Sequence, residues 1–318
     1  MAGDPLPGEV AWTQHLDRRI GAVLGSIPGY SDLRPGAAPS PRLAEGETPS
    51  WMRIPYWLDE YWTEARTGSA RGWDLAEILW GQYALFLFIR LQDDVLDRER
   101  DDLRLIVVAD RFLLECLESF QRFPELNEGF WAFYRSCLRD TVDGALEVGR
   151  LEKEPGSFRS EHLGLHARVS GIFKVGTAAV CRLHGREEDV GWLARLQDQL
   201  AIVSQIADDL DDLGVDLRHG RYTWVGNTML AVEPGELLTP DERASRLGAG
   251  LLRPERGAVI VEALRRAVRA AAAEVPASAP RQIRDLVERL GAMPDELERS
   301  MHEARVRCVF GDALAEVR

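Results

Sequence analysis

Apolar residues recur at threes and fours along most of this chain, the spacing that gathers side chains on one face of an α-helix. From Pro55 to about Leu91 the sequence is apolar at helical spacing and rich in aromatics, among them Trp57, Trp62, Trp73, Trp80, Tyr83, Phe86 and Phe88. Leu103–Phe123, Glu128–Leu151, Glu161–His184 and Asp189–Leu213 each predict a helix of about 20 residues. Gly257–Val275 and Gln282–Leu290 predict two more, separated by the breaker PASAP, and Glu296–Val317 predicts the last. Gly226–Arg256 carries several Gly and Pro and reads as loop with one short helix. Only Arg221–Val225 is strand-like, and strand alternation and hairpin signals are otherwise missing. The pattern therefore predicts an all-α protein of about ten helices. Residues 31–50 are rich in Pro, Gly, Ser and Ala, so residues 1–50 read as an N-terminal helix and loop arm. No linker interrupts the rest of the chain, and residues 51–318 are expected to form a single helical domain.

Composition narrows the class. The 318 residues carry a net charge of −13 and no Lys/Arg stripe, which argues against nucleic acid as a partner. Cys116, Cys137, Cys181 and Cys308 are widely spaced and form no CxxC, the usage of reduced cysteines in a cytoplasm. The first ten residues, MAGDPLPGEV, show no basic and apolar leader, and the longest apolar run, Ala84–Ile89, falls far short of the ~18 residues that span a bilayer. A cytoplasmic protein without a membrane span is expected.

Two acidic clusters change this picture. Asp93-Asp94-Val-Leu-Asp97 and Asp208-Asp209-Leu-Asp211-Asp212, with Asp216 beyond, begin 115 residues apart, and each ends an apolar stretch. On a helix Asp93 and Asp97 share a face, and Asp208, Asp212 and Asp216 form a column. Like charges stacked in this way cost a helix a few tenths of a kcal/mol per pair, so their presence beside apolar segments points to cations held between them. Oxygen ligands without His or Cys select Mg²⁺, which keeps several waters and completes its shell with substrate phosphate. Asp94 and Asp209 point roughly 100° away from their neighbours, as direct ligands or as groups behind them.

If the clusters face each other across a bundle, about three Mg²⁺ ions sit at the mouth of an apolar cavity. The residues one and two turns earlier line it: Phe86, Ile89 and Arg90 on one side, Ala201, Ser204 and Gln205 on the other. A diphosphate head with a hydrocarbon tail suits such a site. Arg168 and Lys174, separated by Gly171, and Arg218 and Arg221 after the second cluster are the cations available for the head group. Phe86, Phe88, Trp80 and Tyr83 read first as core, with carbocation contact through their ring faces as the alternative. His162 and His166 lack a third nitrogen or sulfur ligand nearby and are expected on an ordinary helix surface.

These motifs resemble a known family. RLQDDVLD is similar to the first aspartate motif of the trans-isoprenyl diphosphate synthases and class I terpene synthases, and SQIADDLDDLGVDLRHGRYT to the second. Gln205 matches the Gln three residues before the second motif of prenyl synthases, and Gly220-Arg221-Tyr222-Thr223 is similar to their Gly-Lys-x-Thr. Asp208, Asp212 and Asp216 also take the places of the terpene-synthase Asn/Asp, Ser/Thr, Glu metal triad. Arg168-Val-Ser-Gly171 resembles the segment with the diphosphate-sensing Arg. The resemblance covers Tyr83 to Val225 and implies the isoprenoid-synthase helical bundle around a central apolar cavity, a small-molecule prenyl diphosphate substrate and a homodimer. Asp93, Asp94, Asp97, Asp208, Asp209, Asp212 and Asp216 are then metal residues, with Asp93, Asp97, Asp208 and Asp212 the catalytic set. Arg168, Lys174, Arg218, Arg221, Tyr222 and Gln205 bind substrate, and Phe86, Phe88 and Ile89 bound the pocket for a short or medium tail.

The departures from the family separate two activities. Prenyl synthases carry Gly-Lys-x-x-Arg-Pro upstream and Arg-Arg-Gly after the first motif, which bind a second diphosphate. This chain has Trp51-Met-Arg53-Ile-Pro55 and Arg98-Glu-Arg100-Asp-Asp-Leu-Arg104 instead. An enzyme that keeps the ionising site and loses the co-substrate site reacts its carbocation internally. The expected function is thus a Mg²⁺-dependent terpene synthase that cyclises or eliminates, with a two-substrate prenyltransferase and a non-catalytic subunit as the alternatives.

Overall fold

The computed structural model describes residues 9–27, 50–65, 74–96 and 102–310, the side chains of 9–13 and 308–310 excepted. Among them the α-helices in chain order are α1 (Glu9–Gly25), α2 (Ser50–Ala65), α3 (Leu75–Leu96), α4 (Arg104–Gln121), α5 (Glu128–Lys153), α6 (Gly164–Val169), α7 (Lys174–Leu183), α8 (Val190–Asp211), α9 (Leu213–His219), α10 (Trp224–Leu230), α11 (Pro240–Leu251), α12 (Pro254–Glu274), α13 (Arg281–Leu290) and α14 (Met293–Phe310). There is no strand among the described residues, so the all-α expectation holds.

Three differences from the sequence pattern have local causes. The helix expected over Glu161–His184 is interrupted by a 3₁₀ turn at Ser170–Phe173, which contains Gly171, a poor helix former. The strand-like Arg221–Val225 is the approach to a helix, because the Thr223 hydroxyl accepts from Gly226 N–H at 3.2 Å and caps α10. The loop-rich Gly226–Arg256 contains all of α11. Thr239 and Glu242 exchange reciprocal hydrogen bonds there, Glu242 N–H to the Thr239 hydroxyl at 3.3 Å and Thr239 N–H to the Glu242 carboxylate at 2.8 Å, with Pro240 in the first turn.

The chain divides into two compact units built from discontinuous stretches, 1–137 with 172–190 and 138–171 with 191–318. The first is organised on α3, which is apolar on nearly every face and buried along most of its length. α3 packs most extensively on α4, and α2 and α7 cover it further. Buried charge is paired: Arg19 of α1 donates to Glu77 at 2.9 Å, Ser119 donates to the same carboxylate at 2.7 Å, and Arg122 lies 3.5 Å away. Burial raises the Glu77 carboxyl, and these partners more than offset it, leaving its pKa lowered. Asp59 and His184, both buried, meet at 3.0 Å. Cys116, Cys137 and Cys181 are buried and unbridged, and burial pushes the Cys116 thiol up to about 12.

The second unit is built around the apolar stripe of α12, from Ile260 through Leu264 to Val268. It packs with Val203 and Ile206 of α8, Leu213 and Leu217 of α9, and Trp224, Met229 and Leu230 of α10. No helix among the described residues is long and apolar enough to cross a membrane.

His166 corrects an expectation. It is 4% exposed, not on the helix surface, because α6 turns it onto the Phe158 ring at 5.2 Å. His162 is half-buried, and its Nδ1 accepts from Arg159 N–H at 3.1 Å. Desolvation pushes the His166 imidazole down to about 4. A depressed base binds fewer protons folded than unfolded, so its contribution is complete above the unfolded value of ~6.5 and is lost as pH falls toward 4. Relative to His166→Gln, the wild-type chain is therefore expected to lose roughly 3 kcal/mol between pH 7 and pH 4, read by urea unfolding at each pH. An unchanged difference across that range would contradict the burial argument.

Candidate functional site

In the first unit, the last two turns of α3 carry the first acidic cluster. Asp93 is exposed and Asp94 buried, as expected for adjacent helical positions. Arg90, one turn earlier, reaches both, with Nε 2.9 Å from Asp94 and Nη1 3.7 Å from Asp93. Asp97 lies outside the described residues. Phe88 is buried and Ile89 half-buried, while Phe86 leaves the core for an aromatic group that the sequence did not reveal as a unit. The Trp51 ring of α2 stacks on Phe173 at 4.4 Å and lies 5.2 Å from Phe86, which is 5.6 Å from Tyr83. Lys174, half-buried, follows Phe173 as the first residue of α7.

In the second unit, the second cluster does not form one column. α8 ends at Asp211, and Asp212 leaves helical geometry at φ −93°, ψ 2° before α9 begins. Asp208, Asp211 and Asp212 are exposed, Asp209 is buried on the inner face of α8, and Asp216, beyond the bend, is buried as well. Asp209 accepts from the Gln205 side-chain amide at 2.8 Å, so Gln205 is drawn to the carboxylate one turn ahead of it. Glu152, near the end of α5, joins the two buried carboxylates, and sequence reasoning missed it. The Arg221 guanidinium lies 3.3 Å from Glu152 and 3.8 Å from Asp216. Two backbone bonds fix this meeting: Tyr222 N–H donates to Glu152 O at 2.7 Å and Arg221 N–H to Asp216 O at 2.9 Å.

The electrostatics follow from burial. Desolvation first, and Asp209 and Asp216 after the opposing pull of Arg221, push the Glu152 carboxyl up to about 7. Desolvation with Asp216 beside it raises Asp209 to about 6 against the hydrogen bonds from Gln205 and Thr223. Asp208 is raised by desolvation and by Asp212 and Asp211. Three buried carboxyls, Glu152, Asp209 and Asp216, thus lie in the field of the Arg221 guanidinium, and an added cation there would favour their charged forms. The donors are oxygens without His or Cys, the set that suits Mg²⁺. Among the described residues no three His, Cys, Asp or Glu side chains gather as one metal site.

The remaining expected residues are dispersed within their unit. Arg168 is exposed and 3.8 Å from Asp143, and Arg218 is exposed. Tyr222 is buried, and its hydroxyl accepts from Arg243 at 3.5 Å, so what it offers the site is backbone. Asn227 ties this region together: its carbonyl accepts from Gly156 N–H at 2.9 Å and its amide donates to Phe158 O at 3.2 Å and Tyr222 O at 3.0 Å.

No family model matches the sequence, and the search of curated proteins finds no similar one. Among solved structures, a polyprenyl synthase from Roseobacter denitrificans superposes with a TM-score of 0.57 over 92% of this chain and 97% of its own length, at 16% identity. The chain shares the all-α fold of that protein. At that identity the likeness concerns the fold, and the chemistry rests on the residues above.

Proposed function

We propose that this chain is a Mg²⁺-dependent class I terpene synthase that ionises one linear prenyl diphosphate and ends the reaction by cyclisation or proton loss. The observation that carries this over chain elongation is the stack on Trp51. Aligned on Pro55, the lysine and arginine of the family's Gly-Lys-x-x-Arg-Pro fall on Trp51 and Ile54. Trp51 is stacked on Phe173, and Ile54 is fully buried. Neither offers a charge to a second diphosphate.

The metal roles go to Asp93, Asp94, Asp97, Asp208, Asp209, Asp212 and Asp216. Mg²⁺, when bound, supplies neutralisation of the leaving diphosphate. Lys174 and Arg221, with Arg168 and Arg218, donate to the diphosphate oxygens as the allylic carbon–oxygen bond breaks and negative charge grows on the leaving group. The Trp51, Phe86 and Phe173 faces present π density to the allylic cation. Glu152 and Asp216 hold the Arg221 guanidinium in place. The homodimer belongs to the same proposal, and the exposed Leu103 at the N-cap of α4, with Val107 and Leu114 along it, supports it.

The test supplies prenyl diphosphates from C10 to C25 singly, with Mg²⁺ and with excess chelator, and analyses products by mass spectrometry. A hydrocarbon or alcohol from a single substrate, lost on chelation, is expected. A longer diphosphate formed only when isopentenyl diphosphate is added would overturn the proposal in favour of a prenyltransferase, the reading that the solved neighbour's name favours.

A further inference from the structure

Gln82 occupies a place that no aspartate motif accounts for. It lies on α3 with no exposed surface, and its carboxamide makes two hydrogen bonds to the chain at the start of α7. Nε2 donates to Ile172 O at 3.1 Å, and Oε1 accepts from Gly176 N–H at 2.6 Å. Residues 172 and 176 are four apart, the pair of backbone groups that a regular α-helix joins directly. The 3₁₀ turn ends at Phe173 and α7 begins at Lys174, so the carboxamide braces the change from one helix type to the other. Gly176 makes room for it: a Cβ there would lie 2.9 Å from Oε1 and 3.1 Å from the Gln82 Cβ.

The braced segment contains Phe173 and Lys174. Phe86 stands four residues after Gln82 on the same face of α3 and lies 6.0 Å from the Phe173 ring, whose other neighbour is Trp51. One face of α3 thus grips this turn twice, by a buried amide and by a ring. A purely apolar residue at 82 would leave two buried backbone groups without these partners, so the turn would no longer be held by α3 at this point.

We infer that Gln82 is a positioning residue, which fixes the helix break so that Lys174 and Phe173 are held in their working orientation. The inference rests on the proposed diphosphate ionisation, since it gives Lys174 a head group to meet. A displacement of about 1 Å at such a contact is enough for a loss of about a hundredfold.

The experiment measures Mg²⁺-dependent diphosphate release for wild type, Gln82→Leu, Lys174→Met and the double variant, with unfolding curves for each. Gln82→Leu is expected to lower kcat/KM by roughly 30- to 100-fold in the wild-type background and by less than about threefold in the Lys174→Met background, the non-additivity of residues that act through one another. Gln82→Glu keeps the acceptor and, protonated in this buried place, the donor as well. It is expected to retain activity at acidic pH and to lose it as its carboxyl ionises. If Gln82→Leu does not fold, the same cycle run with ionised Gln82→Glu decides. A folded Gln82 variant with wild-type kcat/KM, or losses that simply add to that of Lys174→Met, overturns the inference alone. A wild-type protein that releases diphosphate from no prenyl substrate overturns the proposed function, and the role of Gln82 in it.

Discussion

Asp93→Asn and Asp208→Asn are each expected to lower Mg²⁺-dependent diphosphate release by about 10³-fold while leaving the fold as stable as before or slightly more so. The activity loss follows from the proposed chemistry, in which stabilisation of the departing diphosphate is the main contribution and removal of one charged or donor group costs about 3–4 kcal/mol. The stability gain follows from the structure. Both carboxylates are exposed, and Asp208 feels Asp212 and Asp211, which raise its pKa beyond the effect of desolvation. Neutralising it relieves a like-charge contact worth a few tenths of a kcal/mol. Asp93 is 3.7 Å from Arg90, and the pair is half exposed, so little stability is lost there. Activity and stability moving in opposite directions are what a functional carboxylate predicts and a structural one does not. Steady-state kinetics beside urea unfolding reads both, and a wild-type rate in either variant would remove the clusters from the chemistry.

How much of this was legible in the sequence depended on the range of the interaction involved. The helices expected over Leu103–Phe123, Glu128–Leu151 and Asp189–Leu213 follow from periodicity because each is set by local spacing and one apolar face. The aspartate motifs were legible because unfavourable local charge stacking calls for an explanation. The inward place of Asp216, out of the expected column, was not, since it follows the departure of Asp212 from the helix, which no residue type in Leu-Asp-Asp-Leu-Gly announces. Glu152 was hidden for another reason: it stands in the charged run Glu152-Lys153-Glu154, which reads as a solvated helix end, and only Arg221, 69 residues later, gives it a role. Gln82 likewise acquires its partners 90 and 94 residues away. The α11 cap was visible in Thr239-Pro240-Asp241-Glu242, but the density of Gly and Pro around it outweighed the signal.

Gly156→Ala is expected to destabilise the second unit by about 4 kcal/mol or more, the range reached by few single substitutions. Gly156 sits at φ +74°, where an L side chain costs roughly 1–2 kcal/mol by itself. The larger part is steric, because a Cβ would lie 2.5 Å from Glu233 C, 2.6 Å from Pro234 N and 2.7 Å from Glu233 O, all backbone atoms that cannot rotate aside. The approach is enforced from both sides. Gly156 N–H is held by Asn227, and Gly235 N–H donates to Pro155 O at 3.1 Å, so moving either segment of the chain breaks one of these bonds. Gly235→Ala separates the two contributions. It has φ +79° and nothing within 4 Å of a Cβ, so it should cost only the conformational part, roughly 1–2 kcal/mol. Because the turn at Gly156 follows α5 and shares Asn227 with Tyr222, loosening it also frees Glu152 from Arg221. Gly156→Ala is therefore expected to lower diphosphate release even where it remains folded, whereas Gly235→Ala is not. Equal unfolding midpoints for the two variants would show that the clash at Glu233 is not the dominant cost.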